Sequence, residues 1–274
     1  KKLIRLMVVF AACSLFSLPL AGGLVYAASE EPAEVPEWAT ILPAKTTFVV
    51  AIEDVESFRA ALFPPDPSKA EFPSVERIIM MISDVEPKAG PPLRAGAKFV
   101  NTLLAAFEGG FSLGMGQTPI WEWPTFFFMG NLKPEVEDFA QYLSRSVAPL
   151  GLKPVLGKEQ GVDRLDIADL VLYFTTADST LMASTDLNEL LRMKKGNLPS
   201  ESTLAGQESF RKAIAIAPPR GLFAFIDLKT VARLHFRRFS AGTWKALSNL
   251  SLDRFESVAL SADIDGSSLK KNFA

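Results

Sequence analysis

Apolar and polar positions along the chain follow two periods, one helical and one strand-like, and the points where the period changes divide the sequence into elements. Thr46 to Ile52 is a β-branched and apolar run, which predicts a strand. Asp54 follows it and precedes Val55, Phe58, Ala61 and Leu62, the spacing of one helix face behind an acidic cap. Pro64, Pro65 and Pro67 stop that helix. Val75, Ile78, Ile79 and Ile82 give a second amphipathic stretch ending near Pro87, and Gly90-Pro91-Pro92 reads as a loop. A third helix is expected from Ala95 to Phe107, with Phe99, Leu103, Leu104 and Phe107 on one side.

At Gly109 the period shortens to two. Phe111, Leu113 and Met115 alternate with small or polar partners, and Thr125 to Met129 is an unbroken apolar run expected at the centre of a sheet. Pro134, with Glu135 and Glu137 behind it, predicts a helix start whose buried stripe includes Val136, Phe139, Leu143 and Val147. Val162 to Ala168, Leu170 to Thr176 and Leu181 to Ser184 read as antiparallel strands, the last two joined by an Ala177–Thr180 turn. Asp186 and Glu189 have capping-box spacing, and Ser209 to Ala217 is helical. Strands follow at Gly221 to Ile226 and Val258 to Ile264, with Asp227 opening a helix between them and Asp265-Gly266 a hairpin signal. The order strand, Asp cap, helix occurs both at Asp54 and at Asp227, so two related halves are a further expectation. The predicted class is α+β, with a mainly antiparallel sheet and helices packed on one face.

The first residues follow a different rule. Lys1, Lys2 and Arg5 precede 24 uncharged residues, Leu6 to Ser29, which end in Val25-Tyr26-Ala27. This is the layout of an export signal, with residues 1–27 removed after Ala27. The stretch is also long enough to span a bilayer, so an uncleaved anchor formed by residues 6–29 is the alternative, and in both cases the bulk is exported to the periplasm or beyond. Residues 28–40 are acidic and Pro-rich and read as a tether, leaving residues 41–274 as the α+β domain. The chain opens without Met and closes just after a strand-like segment, the expectation for a domain truncated at its C-terminus.

Composition narrows the chemistry. Cys13 is the only cysteine and lies in the leader, so the mature chain has no thiol for disulfides, cysteine nucleophiles, zinc–thiolate sites or haem thioethers. Loss of Lys1, Lys2 and Arg5 takes the net charge from −2 to −5, which offers no global attraction for nucleic acid. No Gly-rich nucleotide loop is present, and no cofactor is expected.

The string Leu42-Pro43-Ala44-Lys45-Thr46 running into a strand, followed by Gly109-Gly110-Phe111, resembles a known family. So do Leu181 to Asp186 and the stretch Leu204 to Arg211 that precedes the strand ending in Ile226-Asp227. The resemblance is to the domain-of-unknown-function 3352 family of exported bacterial proteins and covers most of Leu42 to Leu234. It implies an α+β fold and an envelope location, and supplies no catalytic residues.

Candidate sites are few. His235 is the only histidine; without a Gly-x-Ser-x-Gly elbow, and beside Arg237 and Arg238, it reads as a surface side chain. Glu53-Asp54, the series Asp163, Asp166, Asp169, and Asp263 with Asp265 are the carboxylate groups, read mostly as caps and turns. Trp121 and Trp123 form a candidate aromatic platform in front of Phe126–Phe128, which read as core. Between residues 211 and 245 eight lysines and arginines face one acid, Asp227. Within them Arg233, Arg237 and Arg238 are the candidate contact to an anionic lipid surface or an acidic envelope partner. The reading is a non-catalytic binding or structural envelope protein; the competing class is a secreted hydrolase using carboxylates or His235. If the basic segment meets an anionic surface, the protein should bind acidic liposomes with a steep salt dependence, and charge reversal at Arg233, Arg237 and Arg238 should remove it. Equal retention on neutral and acidic liposomes at low salt would leave those residues as a solvated face.

Overall fold

The computed structural model describes residues 34–64, 66, 74–85, 88, 90–116, 124–148, 151–167, 170–196, 198–230, 256–265 and 268–273. The expected leader, Trp121, Trp123, Asp169 and the segment 231–255 with His235, Arg233, Arg237 and Arg238 lie outside these residues.

Ten strands form one sheet, and every pairing in it is antiparallel. In chain order they are β1 (Thr46–Ile52), β2 (Phe107–Gly116), β3 (Thr125–Leu132), β4 (Val155–Glu159), β5 (Val162–Ile167), β6 (Leu170–Ala177), β7 (Thr180–Ser184), β8 (Leu222–Ile226), β9 (Val258–Asp265) and β10 (Ser268–Phe273). Their spatial order is β10-β9-β8-β1-β2-β3-β7-β6-β5-β4, so the two strands that begin the apparent halves, β1 and β8, lie side by side. The α-helices are α1 (Glu37–Ile41), α2 (Val55–Leu62), α3 (Val75–Val85), α4 (Gly90–Leu104), α5 (Phe139–Val147), α6 (Leu187–Lys195) and α7 (Glu208–Ile216). Two 3-10 turns, Ser200–Ser202 and Leu204–Gly206, precede α7.

The α+β class and the antiparallel sheet are as expected, but the helices cover both faces rather than one. On the first face α2, α3, α4 and α5 pack on Phe48, Val50, Ile52, Phe128 and Leu132. On the second, α1, α6 and α7 pack on Val49, Ala51, Phe127, Phe223 and Phe225. Successive side chains of a strand point to opposite faces, so a strand covered on both must be apolar throughout. Every residue of β1 is buried, and the run Phe126–Met129 carries the same signature.

Large side chains on one strand are matched by glycine on the next. Phe127 lies across β2, and a Cβ on Gly116 would meet its Cε2 at 2.7 Å. A side chain at Gly116 would therefore displace that ring, and overpacking of this kind typically costs about 1–3 kcal/mol. On the first face Phe107 and Phe111 occupy the space above Gly130, beginning an aromatic chain through Phe139 to Phe174.

Three expected boundaries move. Helix α4 begins at Gly90, so Pro91 and Pro92 sit in its first turn, where a missing N–H costs no intrahelical bond; Phe107 opens β2 instead of closing the helix. Helix α5 starts at Phe139 behind the cap Asp138, whose carboxylate accepts from the Gln141 N–H at 2.9 Å; Glu135 and Glu137 precede it in a turn. Strand β4 has no counterpart among the expected elements. It is an edge strand, and the hairpin joining it to β5 turns through Gln160 and Gly161, both at positive φ.

The paired caps form as expected. The Asp54 carboxylate accepts the Glu56 and Ser57 N–H groups, each at 3.0 Å, and the Ser57 hydroxyl at 2.6 Å. Asp227 repeats this with Thr230, accepting its N–H at 2.9 Å and its hydroxyl at 2.8 Å. The Ser57 hydroxyl, with the backbone N–H groups, holds the Asp54 carboxyl below its ordinary value of 3.8. A depressed carboxylate contributes stability above its unfolded pKa and loses it as pH falls through the folded pKa. Asp54→Ala should therefore cost about 1 kcal/mol at neutral pH. Urea denaturation at falling pH should show the gap to the parent closing only below the ordinary carboxylate range; a gap independent of pH would remove the charged cap as its cause.

Candidate functional site

A groove of about 500 Å³ lies over the sheet, beside α1 and the segment that leads into it. Its floor is one row of cross-strand neighbours. Phe223 of β8 pairs with Ala51 of β1, Ala51 with Ser112 of β2, Ser112 with Met129 of β3, and Met129 with Met182 of β7. The two small residues in the middle make the row a trough between an aromatic side and a methionine side. Trp38 of α1 raises the aromatic wall, its ring centroid 6.0 Å from that of Phe223 and 5.8 Å from that of Phe210. Helix α1 is five residues long, and the sheet beyond its reach is what the groove exposes.

A second, polar row lies one step further along the strands. Thr180 donates its hydroxyl to the Asn131 side-chain carbonyl at 2.9 Å, across the β3–β7 pair. Glu53 and Gly221 lock to each other: the Glu53 N–H donates to the Gly221 carbonyl, and the Glu53 carboxylate accepts the Gly221 N–H, both at 2.7 Å. Between them the ladder of β2 and β3 shifts register at Gly109-Gly110, and Gly110 lines the groove. Glu34, Glu37 and Arg220 complete the rim.

One floor group is unsatisfied. Ser112 is 1% exposed and its hydroxyl has no hydrogen-bond partner among the described residues. A buried hydroxyl of this kind is desolvated without return, which costs about 1–3 kcal/mol. The alternation of β2 gives the reason for its place: Phe111 and Leu113 take the first face, which sends Ser112 to the second.

Of the carboxylates named from sequence, Asp54, Asp163 and Asp166 have structural partners. Asp166 and Glu159 hold Arg164 at 2.8 Å each, and the guanidinium stands 6.0 Å from the Tyr173 ring centre. The Asp166 hydrogen bond leads in holding Arg164 protonated. Asp163 lies 3.8 Å from Lys158, and Asp54 is the cap described above. Among the described residues no three His, Cys, Asp or Glu side chains gather into a metal-holding group. The basic segment is also less isolated than its sequence implies. Lys212 pairs with Glu208 at 2.8 Å, and Glu256, from outside the segment, lies 3.2 Å from Lys229 and 3.8 Å from Lys212. The Lys212–Glu208 contact lowers the Glu208 carboxyl and raises the Lys212 ammonium.

Of the groove residues only Glu53 is named as a candidate from sequence, as one of a carboxylate pair, although the alternation of β2 and the run of β3 are both legible. Pairing register is what assembles Ala51, Ser112, Met129 and Met182, and a local pattern does not carry it. Among the described residues no helix is long and apolar enough to cross a membrane. No family model, curated protein or solved structure matches the chain.

Because the Ser112 hydroxyl has no partner to lose, Ser112→Ala should leave the fold intact and raise its stability by about 1 kcal/mol. Urea unfolding midpoints measure this; a loss of stability of similar size would mean that the hydroxyl is satisfied in solution.

Proposed function

We propose that this chain is an exported bacterial envelope protein that binds a small ligand in the groove and does not transform it. The observation that carries the reading is the trough itself. Its volume lies within the roughly 300–1,000 Å³ usual for ligand sites, and it combines an apolar floor with a few polar groups. Among the described residues Ser112 has no hydrogen-bonding base to activate it as a nucleophile, and one oxygen of the Glu53 carboxylate is held by the Gly221 N–H. These features favour binding over the hydrolase alternative. Export is supported by the layout of residues 1–27, by the acidic, Pro-rich composition of the stretch after them and by the resemblance to the domain-of-unknown-function 3352 family.

Native mass spectrometry of the protein recovered from the envelope fraction tests both parts. The expected species begins at Ala28 and carries a small-molecule adduct that is absent from Asn131→Trp, in which an exposed rim residue is enlarged to close the groove. A chain still bearing Lys1–Ala27 would replace the cleaved signal by an anchor. A full-length chain found only in the cytoplasm, or an adduct that persists in Asn131→Trp, would overturn the corresponding part.

A further inference from the structure

We infer that the groove selects a compact amphipathic organic cation, an ammonium group on an apolar body; this rests on the binding reading above and deepens it. The apolar body is matched by Met129 and Met182 on one side of the trough and Trp38 and Phe223 on the other. Methionine adapts to irregular ligand shapes and makes favourable contacts with aromatic groups. The space for that body comes from Ala51 and Ser112, the two small members of the row.

The charge of the head group follows from the rim. Three carboxylates, Glu34, Glu37 and Glu53, line the groove with one cation, Arg220. Glu34, Glu37 and Arg220 have no ion-pair partner among the described residues, so the excess of acid is not cancelled within the groove. Among the described residues one Glu53 carboxylate oxygen is engaged, by the Gly221 N–H, which leaves the other as an acceptor. On the floor the Ser112 hydroxyl, which can accept as well as donate, is buried and without a partner among the described residues. A ligand that supplies hydrogen-bond donors and positive charge complements this set, whereas an anion meets the excess of carboxylates.

Isothermal titration of the exported protein with phenylbutylamine, phenylbutanol and phenylbutyrate tests this, because the three share one apolar body and differ in head group. The amine should bind about tenfold more tightly than the carboxylate, with the alcohol between them. Glu34→Gln and Glu37→Gln should each weaken the amine about two- to fivefold and leave the alcohol unchanged. The advantage of the amine should shrink as salt shortens the screening length from about 10 Å at 0.1 M to about 3 Å at 1 M. Asn131→Trp should abolish binding of all three, and Thr180→Trp, at a neighbouring rim position, provides a second groove-closing variant if the first does not fold. Equal affinity for the three probes, still lost in the groove-closing variants, overturns the cation and leaves the binding reading standing. Binding that survives both closures overturns the site, and no binding by any probe overturns the inference and the binding reading together.

Discussion

The structure depends on covering the centre of the sheet from both sides. Strands β8, β1, β2 and β3 stand between two layers of helix, and their side chains alternate between the layers. Burial of this kind favours continuous apolar strands, each large side chain contributing about 1.5–3 kcal/mol when fully removed from water. It also imposes a packing rule, because two helical layers and a sheet leave little room for large side chains at facing positions. The chain answers with small residues where a neighbouring ring has to lie, as Gly116 does under Phe127 and Gly130 beneath Phe107.

The groove comes from the same rule applied where the helical cover stops. Ala51 and Ser112 continue the row of small residues on the second face, but no ring lies over them to fill the space. Helix α1 supplies Trp38 to one margin and ends at Ile41. The trough is therefore a packing position left vacant between well-filled neighbours. Its walls are held by the β-ladder and by the reciprocal Glu53–Gly221 bonds, so the site has a rigid frame on its strand side.

Elements with strong local signals were legible in the sequence. The bounds of β1, the cap at Asp54 and the cap at Asp186 follow from residue type and spacing, because a cap is a contact between residues two or three apart. The two-sided helix cover was present in the same data as the unbroken apolar character of β1 and β3, which is the mark of burial on both faces. Strand β4 escaped because Val155, Leu156 and Lys158 are all exposed and show no alternation; the Gln160-Gly161 turn was its only signal. The groove escaped for a different reason. Ala51 and Ser112 are distant in sequence, and only the β1–β2 register makes them neighbours.

Strand β4 also gives the sheet a graded boundary. Four of its five residues are exposed and it has a single neighbour, β5, so few apolar contacts hold it against solvent. Opening there frees one ladder, whereas opening at β1 would break two ladders and uncover both cores. Local fluctuations should therefore begin at this margin and stop well short of the centre. Val155 and Leu156 would make such an edge adhesive toward other chains, and Lys158 on the same strand opposes that by placing a charge where a further strand would dock. The margin can loosen without inviting growth of the sheet, and the floor of the groove, whose nearest strand β7 is separated from β4 by β5 and β6, keeps its frame while it does.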